Sequence, residues 1–109
     1  MEDPAYIDIM IHEPARLKIM SSLMGISEGD MADFSLLKKL TGLSDGNLSV
    51  QLRRLEDCGY VLIDKRFVGR KPKTFVSISD RGRRAFYSYV DTLEKIINAA
   101  TENQKKDVK

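Results

Sequence analysis

Between Leu43 and Gly59 the chain reads LSDGNLSVQLRRLEDCG, and this stretch limits the possible folds more than any other. Ser44 can accept a hydrogen bond from the backbone N–H groups that open a helix, and Gly59 supplies a left-handed stop. Leu48, Leu52 and Leu55 recur at helical spacing and form one buried stripe. Asn47, Val50, Arg53 and Arg54 fall on the opposite side, the side that would meet a partner. An ordinary amphipathic helix with a solvated basic face has the same pattern, so the flanking segments must decide.

At 109 residues and 42% hydrophobic, the chain is expected to form one domain with a modest core. One cysteine and one histidine exclude a disulfide framework and a zinc site of the usual Cys/His spacing, and suggest the cytoplasm. No charged leader with an apolar run opens the sequence, and no run approaches ~18 apolar residues, so neither export nor membrane spanning is expected. The net charge of +2 is unevenly spread. Residues 1–43 carry four Lys/Arg against seven Asp/Glu, residues 44–84 ten against five, and residues 85–109 four of each. The basic footprint therefore lies in the middle of the chain.

The opening MEDPAYIDIMI packs Tyr6, Ile7, Ile9, Met10 and Ile11 into an apolar cluster, and Pro14 sets this arm apart from the rest of the chain. Glu13 and Pro14 start a first helix over Pro14 to Met24, with Leu17, Met20, Leu23 and Met24 at helical spacing. His12 has no sequence neighbour suited to be its catalytic or ligating partner, and a structural or capping role is expected. Met31 to Asp33 suggests a very short strand. Asp33 or Ser35 then caps a second helix through Leu36, Leu37, Leu40 and Thr41. With Gly42, Leu43 and Ser44 as a tight turn, the second helix and the central one make a helix-turn-helix.

After Gly59 the period changes. Tyr60 to Val68 reads as a strand, Gly69 to Pro72 as a turn, and Lys73 to Ile78 as the returning strand. Lys65, Arg66, Arg70, Lys71 and Lys73 crowd this ribbon with positive charge, which suits a polyanion. Ser79 or Asp80 caps a last long helix, where Phe86, Val90, Leu93, Ile97 and Ala100 form a seam widened by Tyr89 and Ile96. That seam, with Tyr6, Ile7 and Met10 of the arm, is expected to pack on a second copy. The alternative is a monomer whose terminal elements pack on each other. Residues 101–109 show no apolar pattern and are expected to form a disordered tail.

The segment LTGLSDGNLSVQLRRLEDCGYVLIDKRFVGRKPKTFVSISDRGRRAF resembles the winged helix-turn-helix regulators of the MarR-like and ArsR-like groups. It holds a Gly-Leu-Ser turn, a leucine-striped recognition helix, a Gly-Tyr-Val step, a wing and a Ser-x-x-Gly-Arg helix opening. The resemblance implies a mainly α fold with a small β-hairpin (α+β) and a long C-terminal dimerisation helix. Residues 1–100 would form that domain. It also implies a homodimeric transcriptional regulator that places its recognition helices in successive major grooves of double-stranded DNA.

By position, Asp45, Gly46, Asn47, Ser49, Val50 and Gln51 would approach base edges, with Arg70 and Lys71 at the wing tip. Val50 departs from the basic or amide residue frequent there; it could touch a thymine methyl but cannot contact guanine as Arg would. Ser44, Arg53, Arg54, Lys65, Arg66 and Lys73 join the phosphate set. The paired-cysteine motif of ArsR-like metal sensors is missing, so no metal or cofactor is expected. Cys58 is either a small buried thiol or a redox sensor. A small-molecule effector, known for MarR-like members, is left open. A different class of function, docking of an acidic protein by the basic wing, would suit the same charges. An enzyme is not expected, because no Gly-rich phosphate loop, carboxylate pair or nucleophile–base set stands out.

Overall fold

The computed structural model describes residues 6–107, with side chains as far as Glu102. Its elements are α1 (Pro14–Met24), β1 (Ala32–Asp33), α2 (Phe34–Thr41), α3 (Asp45–Asp57), β2 (Val61–Val68), β3 (Lys71–Ile78) and α4 (Asp80–Asp107). Met1 to Ala5 of the expected arm, and Val108 and Lys109 of the expected tail, lie outside the described residues.

The local signals act where the sequence places them. Glu13 caps α1 by accepting from Arg16 N, and Pro14 occupies the first turn, where no N–H is needed. Asp33, rather than Ser35, caps α2 by accepting from Leu36 N at 2.7 Å. Ser44 Oγ accepts from Asn47 N at 3.2 Å at the start of α3. At the far end Gly59 adopts φ +84°, and the chain turns into β2. Ser79 accepts from Gly82 N at the start of α4 and donates to Gly59 O, joining the last helix to the root of the wing.

The core forms where the apolar faces converge. Ile19, Met20 and Leu23 of α1 meet Leu37 of α2, the Leu48–Leu52–Leu55 stripe of α3, and Val61 and Val76 of the sheet. The sheet is antiparallel with order β1-β3-β2. The pairing of Ala32 with Val76 makes β3 the central strand and extends the hairpin to three strands.

The bounds of the hairpin strands and the end of α4 differ from expectation. The hairpin turn is shorter, because Val68 pairs with Lys71 and leaves only Gly69 and Arg70 between the strands. Gly69 has φ +65°, the geometry of a two-residue turn with glycine first. Pro72 therefore lies within β3, paired with Phe67. It is tolerated there because β1 reaches only Phe75 and Val76, so no strand needs its missing N–H. Lastly, α4 continues through 101–107, where a disordered tail was expected. Glu, Gln and Lys are good helix formers, and a helix that starts from a packed turn can persist through them without an apolar stripe.

Candidate nucleic-acid interface

The leucine stripe fixes the rotation of α3. With Leu48, Leu52 and Leu55 in the core, Asp45, Gly46, Asn47, Ser49, Val50, Arg53 and Arg54 are exposed. Asp45 pairs with Lys38 of α2 at 2.8 Å, which offsets the one acidic charge in the first turn of α3. Arg53 lies on the flank that faces the wing. Arg54 lies on the flank toward α1, where its charge helps hold the Glu13 carboxyl below the usual range. The largest cause of that lowering is the hydrogen bond from Arg16 N.

Strand alternation divides the wing into two faces. Val61, Ile63, Lys65 and Phe67 lie opposite Ile78, Val76, Thr74 and Pro72 on the face toward α3. A cleft of about 630 Å³ separates that face from α3, lined by Ser49, Val50, Arg53 and Glu56 on one side and Ile63, Lys65 and Thr74 on the other. Lys65 and Arg53 thus flank one groove. Phe67, farther out on the same face, is 72% exposed.

The other face holds cations that already have partners. Arg66 bonds Asp64 at 2.6 Å and stacks over Phe75, with its guanidinium carbon 4.7 Å from the ring centroid. Lys73 lies 3.8 Å from Asp33. Arg70 and Lys71 project at the tip, both exposed.

Gln51 is only half-exposed, and its environment was not visible in the sequence. Its Oε1 accepts from Arg16 Nη1 at 2.8 Å, and its Nε2 donates to Asn47 Oδ1 at 3.1 Å. Arg16, 8% exposed, also donates to Met10 O at 2.6 Å and to Ile9 O at 3.4 Å, and lies 3.7 Å from Glu13. It ties the N-terminal arm to α3. The available signal was a cation on the buried stripe of α1, in helical register with Met20 and Leu23.

Two further contacts anchor the arm. Tyr60, at the wing root, donates to Asp8, and burial followed by that bond pushes its phenol pKa well up. His12 Nδ1 lies 2.9 Å from the Tyr89 hydroxyl, so the partner missing from its sequence neighbourhood comes from α4. Burial pushes the Tyr89 pKa up as well. Burial also raises the thiol of half-buried Cys58, which lies 3.4 Å from Leu55 O.

Of the expected dimer seam, Tyr89 is 3% exposed and packed within the chain's own core. Ile7, Phe86, Val90 and Leu93 pack partly against that core. Met10 is half-buried. Ile96 at 43% and Ile97 at 59% stand exposed beyond it, with Tyr6 and Ala100 also exposed. Among the described residues no cluster of His, Cys, Asp and Glu could hold a metal ion, and no helix is long and apolar enough to cross a membrane.

A tight helix-turn-helix, a three-stranded sheet and a two-stranded basic ribbon beside the second helix define a winged helix protein. The chain belongs to the winged helix DNA-binding domain family, which it matches over residues 15–97. It is 37% identical over 75 residues to the uncharacterized protein MJ0432 of Methanocaldococcus jannaschii, covering 69% of this chain and 78% of that protein. Among solved structures it is similar to a transcriptional regulator homologue from Pyrococcus horikoshii OT3. That match has a TM-score of 0.75 and 30% identity over 85% of this chain and 89% of the other. A Bacillus cereus protein described as a MarR-like transcription regulator shares the fold, with a TM-score of 0.56 and 18% identity over 94% and 84% of the two chains.

Proposed function

We propose that this chain is a sequence-specific transcriptional regulator that binds double-stranded DNA as a homodimer. In this reading α3 enters the major groove, and the wing lies on the adjacent minor groove or phosphates. The observation that carries it is the continuous surface formed by the outer side of α3 and the Lys65 face of the wing. These flank one groove, and Arg70 and Lys71 stand exposed at the tip of the same ribbon. Arg53, Arg54, Lys65, Arg70 and Lys71 supply phosphate contacts, while Arg66 and Lys73 would exchange Asp64 and Asp33 for phosphate on binding. Ser44 stays a helix cap whose neighbouring N–H groups favour an anion. Base readout falls to the exposed residues in the first half of α3, Asp45, Gly46, Asn47, Ser49 and Val50, with half-exposed Gln51 acting through Asn47.

The dimer reading rests on the apolar side chains that the chain leaves uncovered at both ends, Ile96, Ile97 and Ala100 of α4 with Tyr6 of the arm. A second copy would cover them and set two recognition helices about one DNA turn apart. The test is selection of bound duplexes from a random pool. Two inverted half-sites about 10–10.5 base pairs apart are expected. A pool that returns unenriched at moderate salt would sink the specific-regulator reading and leave nonspecific DNA or an acidic protein as the partner of the wing.

A further inference from the structure

Arg16 contacts the recognition helix from beneath, and its chemistry allows only one arrangement above it. A guanidinium donates hydrogen bonds and accepts none. The amide group of Gln51 must therefore turn its oxygen toward Arg16 Nη1, at 2.8 Å, which leaves its Nε2 for Asn47. Asn47 in turn must offer its Oδ1, at 3.1 Å, so its own NH₂ group is the end not held by Gln51. Amide orientation is normally inferred from the hydrogen-bond network. Here the network starts from a group with no acceptor, so each step is forced. The guanidinium itself is held by the Met10 and Ile9 carbonyls and the Glu13 carboxylate.

We infer that Arg16 is a positioning residue that sets, through Gln51, the hydrogen-bonding polarity of Asn47, so that α3 presents donors there and selects an acceptor edge in the major groove. The inference rests on the DNA-binding reading above. Guanine offers two acceptors, N7 and O6; adenine sets a donor beside its acceptor; cytosine offers a donor. The familiar bidentate contact of Asn with adenine needs the amide oxygen turned outward, whereas Gln51 engages one of its two lone pairs and holds it toward the helix. Guanine, with two adjacent acceptors against the single O4 of thymine, is therefore the base expected opposite Asn47.

The test is a polarity inversion. Gln51→Glu keeps an acceptor for Arg16 but has no N–H for Asn47. The Asn47 amide must then donate inward and turn its oxygen outward. In parallel selections from a random duplex pool, the base pair read by Asn47 is the one whose preference Asn47→Ala removes. At that pair the unaltered protein should prefer guanine, and Gln51→Glu should prefer cytosine or adenine. Discrimination should be roughly 5- to 150-fold, with the other positions of the half-site unchanged.

Gln51→Met provides a second variant that frees Asn47 to rotate and should broaden the same position to admit adenine. Guanine retained by both variants would overturn the inference while leaving DNA binding intact. So would a uniform loss of discrimination across the half-site in variants that melt at the normal temperature. An unaltered protein that enriches no half-site would remove the DNA-binding reading and this inference together.

Discussion

Gly82 lies buried in the first turn of α4 against the backbone of Tyr60, and Gly82→Ala tests how the last helix is seated on the wing root. A Cβ added there would stand 2.1 Å from Tyr60 O and 2.9 Å from Tyr60 C. An ordinary carbon–oxygen contact is about 3.3 Å, so the two backbones would have to separate by roughly 1.2 Å. Overpacking of this kind costs about 1–3 kcal/mol. The same movement strains the Ser79 N–H bond to Tyr60 O at 3.0 Å and the Ser79 hydroxyl bond to Gly59 O, each worth about 1 kcal/mol. Alanine returns up to about 1 kcal/mol of helix propensity, so the net expectation is a loss of about 2–4 kcal/mol. For a domain of this size the thermal midpoint should fall by about 10 °C or more. Gly46→Ala is the control, because a Cβ there meets nothing within 4 Å and the propensity gain stands alone. Urea denaturation of both variants decides. If Gly82→Ala proved no less stable than Gly46→Ala, the close approach of α4 to the wing root would be refuted.

Leu52→Ala should cost about 2–5 kcal/mol by opening a cavity beneath α3, measured by urea denaturation. Loss of DNA binding in that variant would report unfolding, whereas binding at full stability would contradict the rotation of α3. Tyr60 and Tyr89 have phenol pKa values raised by burial, so the unfolded chain ionises first. Their contribution is complete below the ordinary tyrosine range and falls as pH rises through it, and Tyr60→Phe should flatten that alkaline limb in thermal melts. Glu13 has the opposite sign. Its lowered pKa gives stability that is present above the ordinary glutamate range and lost as pH falls toward the depressed value, and Glu13→Gln should weaken that acid limb. Ile97→Glu should shift the sedimentation mass from dimer to monomer without lowering the thermal midpoint of the monomer; an unchanged mass would remove α4 from the interface.

What the sequence revealed and what it hid divide along a physical line. The bounds of α1, the leucine stripe of α3 and the cap at Ser44 depend on residues within a few positions of one another, so periodicity and capping expose them. The partner of His12 is Tyr89, that of Asp8 is Tyr60, and that of Arg16 is Gln51, pairs that only the tertiary fold brings together. For the same reason five wing cations that look equivalent in sequence prove unequal. Lys65 faces α3, Arg66 and Lys73 hold carboxylates, and Arg70 and Lys71 stand at the tip. Pro72 argued against a strand by its residue type, and only the short reach of β1 along β3 shows why it is accepted.

The central claim is that α3 and the wing form one DNA-binding surface. It is tested most directly by the salt dependence of affinity for a fixed duplex, compared between the unaltered protein and Arg70→Ala. With about six phosphates met per protomer, log affinity should fall linearly with log salt by roughly 0.9 for each contact, and Arg70→Ala should flatten the slope by about one unit per protomer. A protein that fails to bind the duplex at low salt, or whose slope is the same with and without Arg70, would contradict the account.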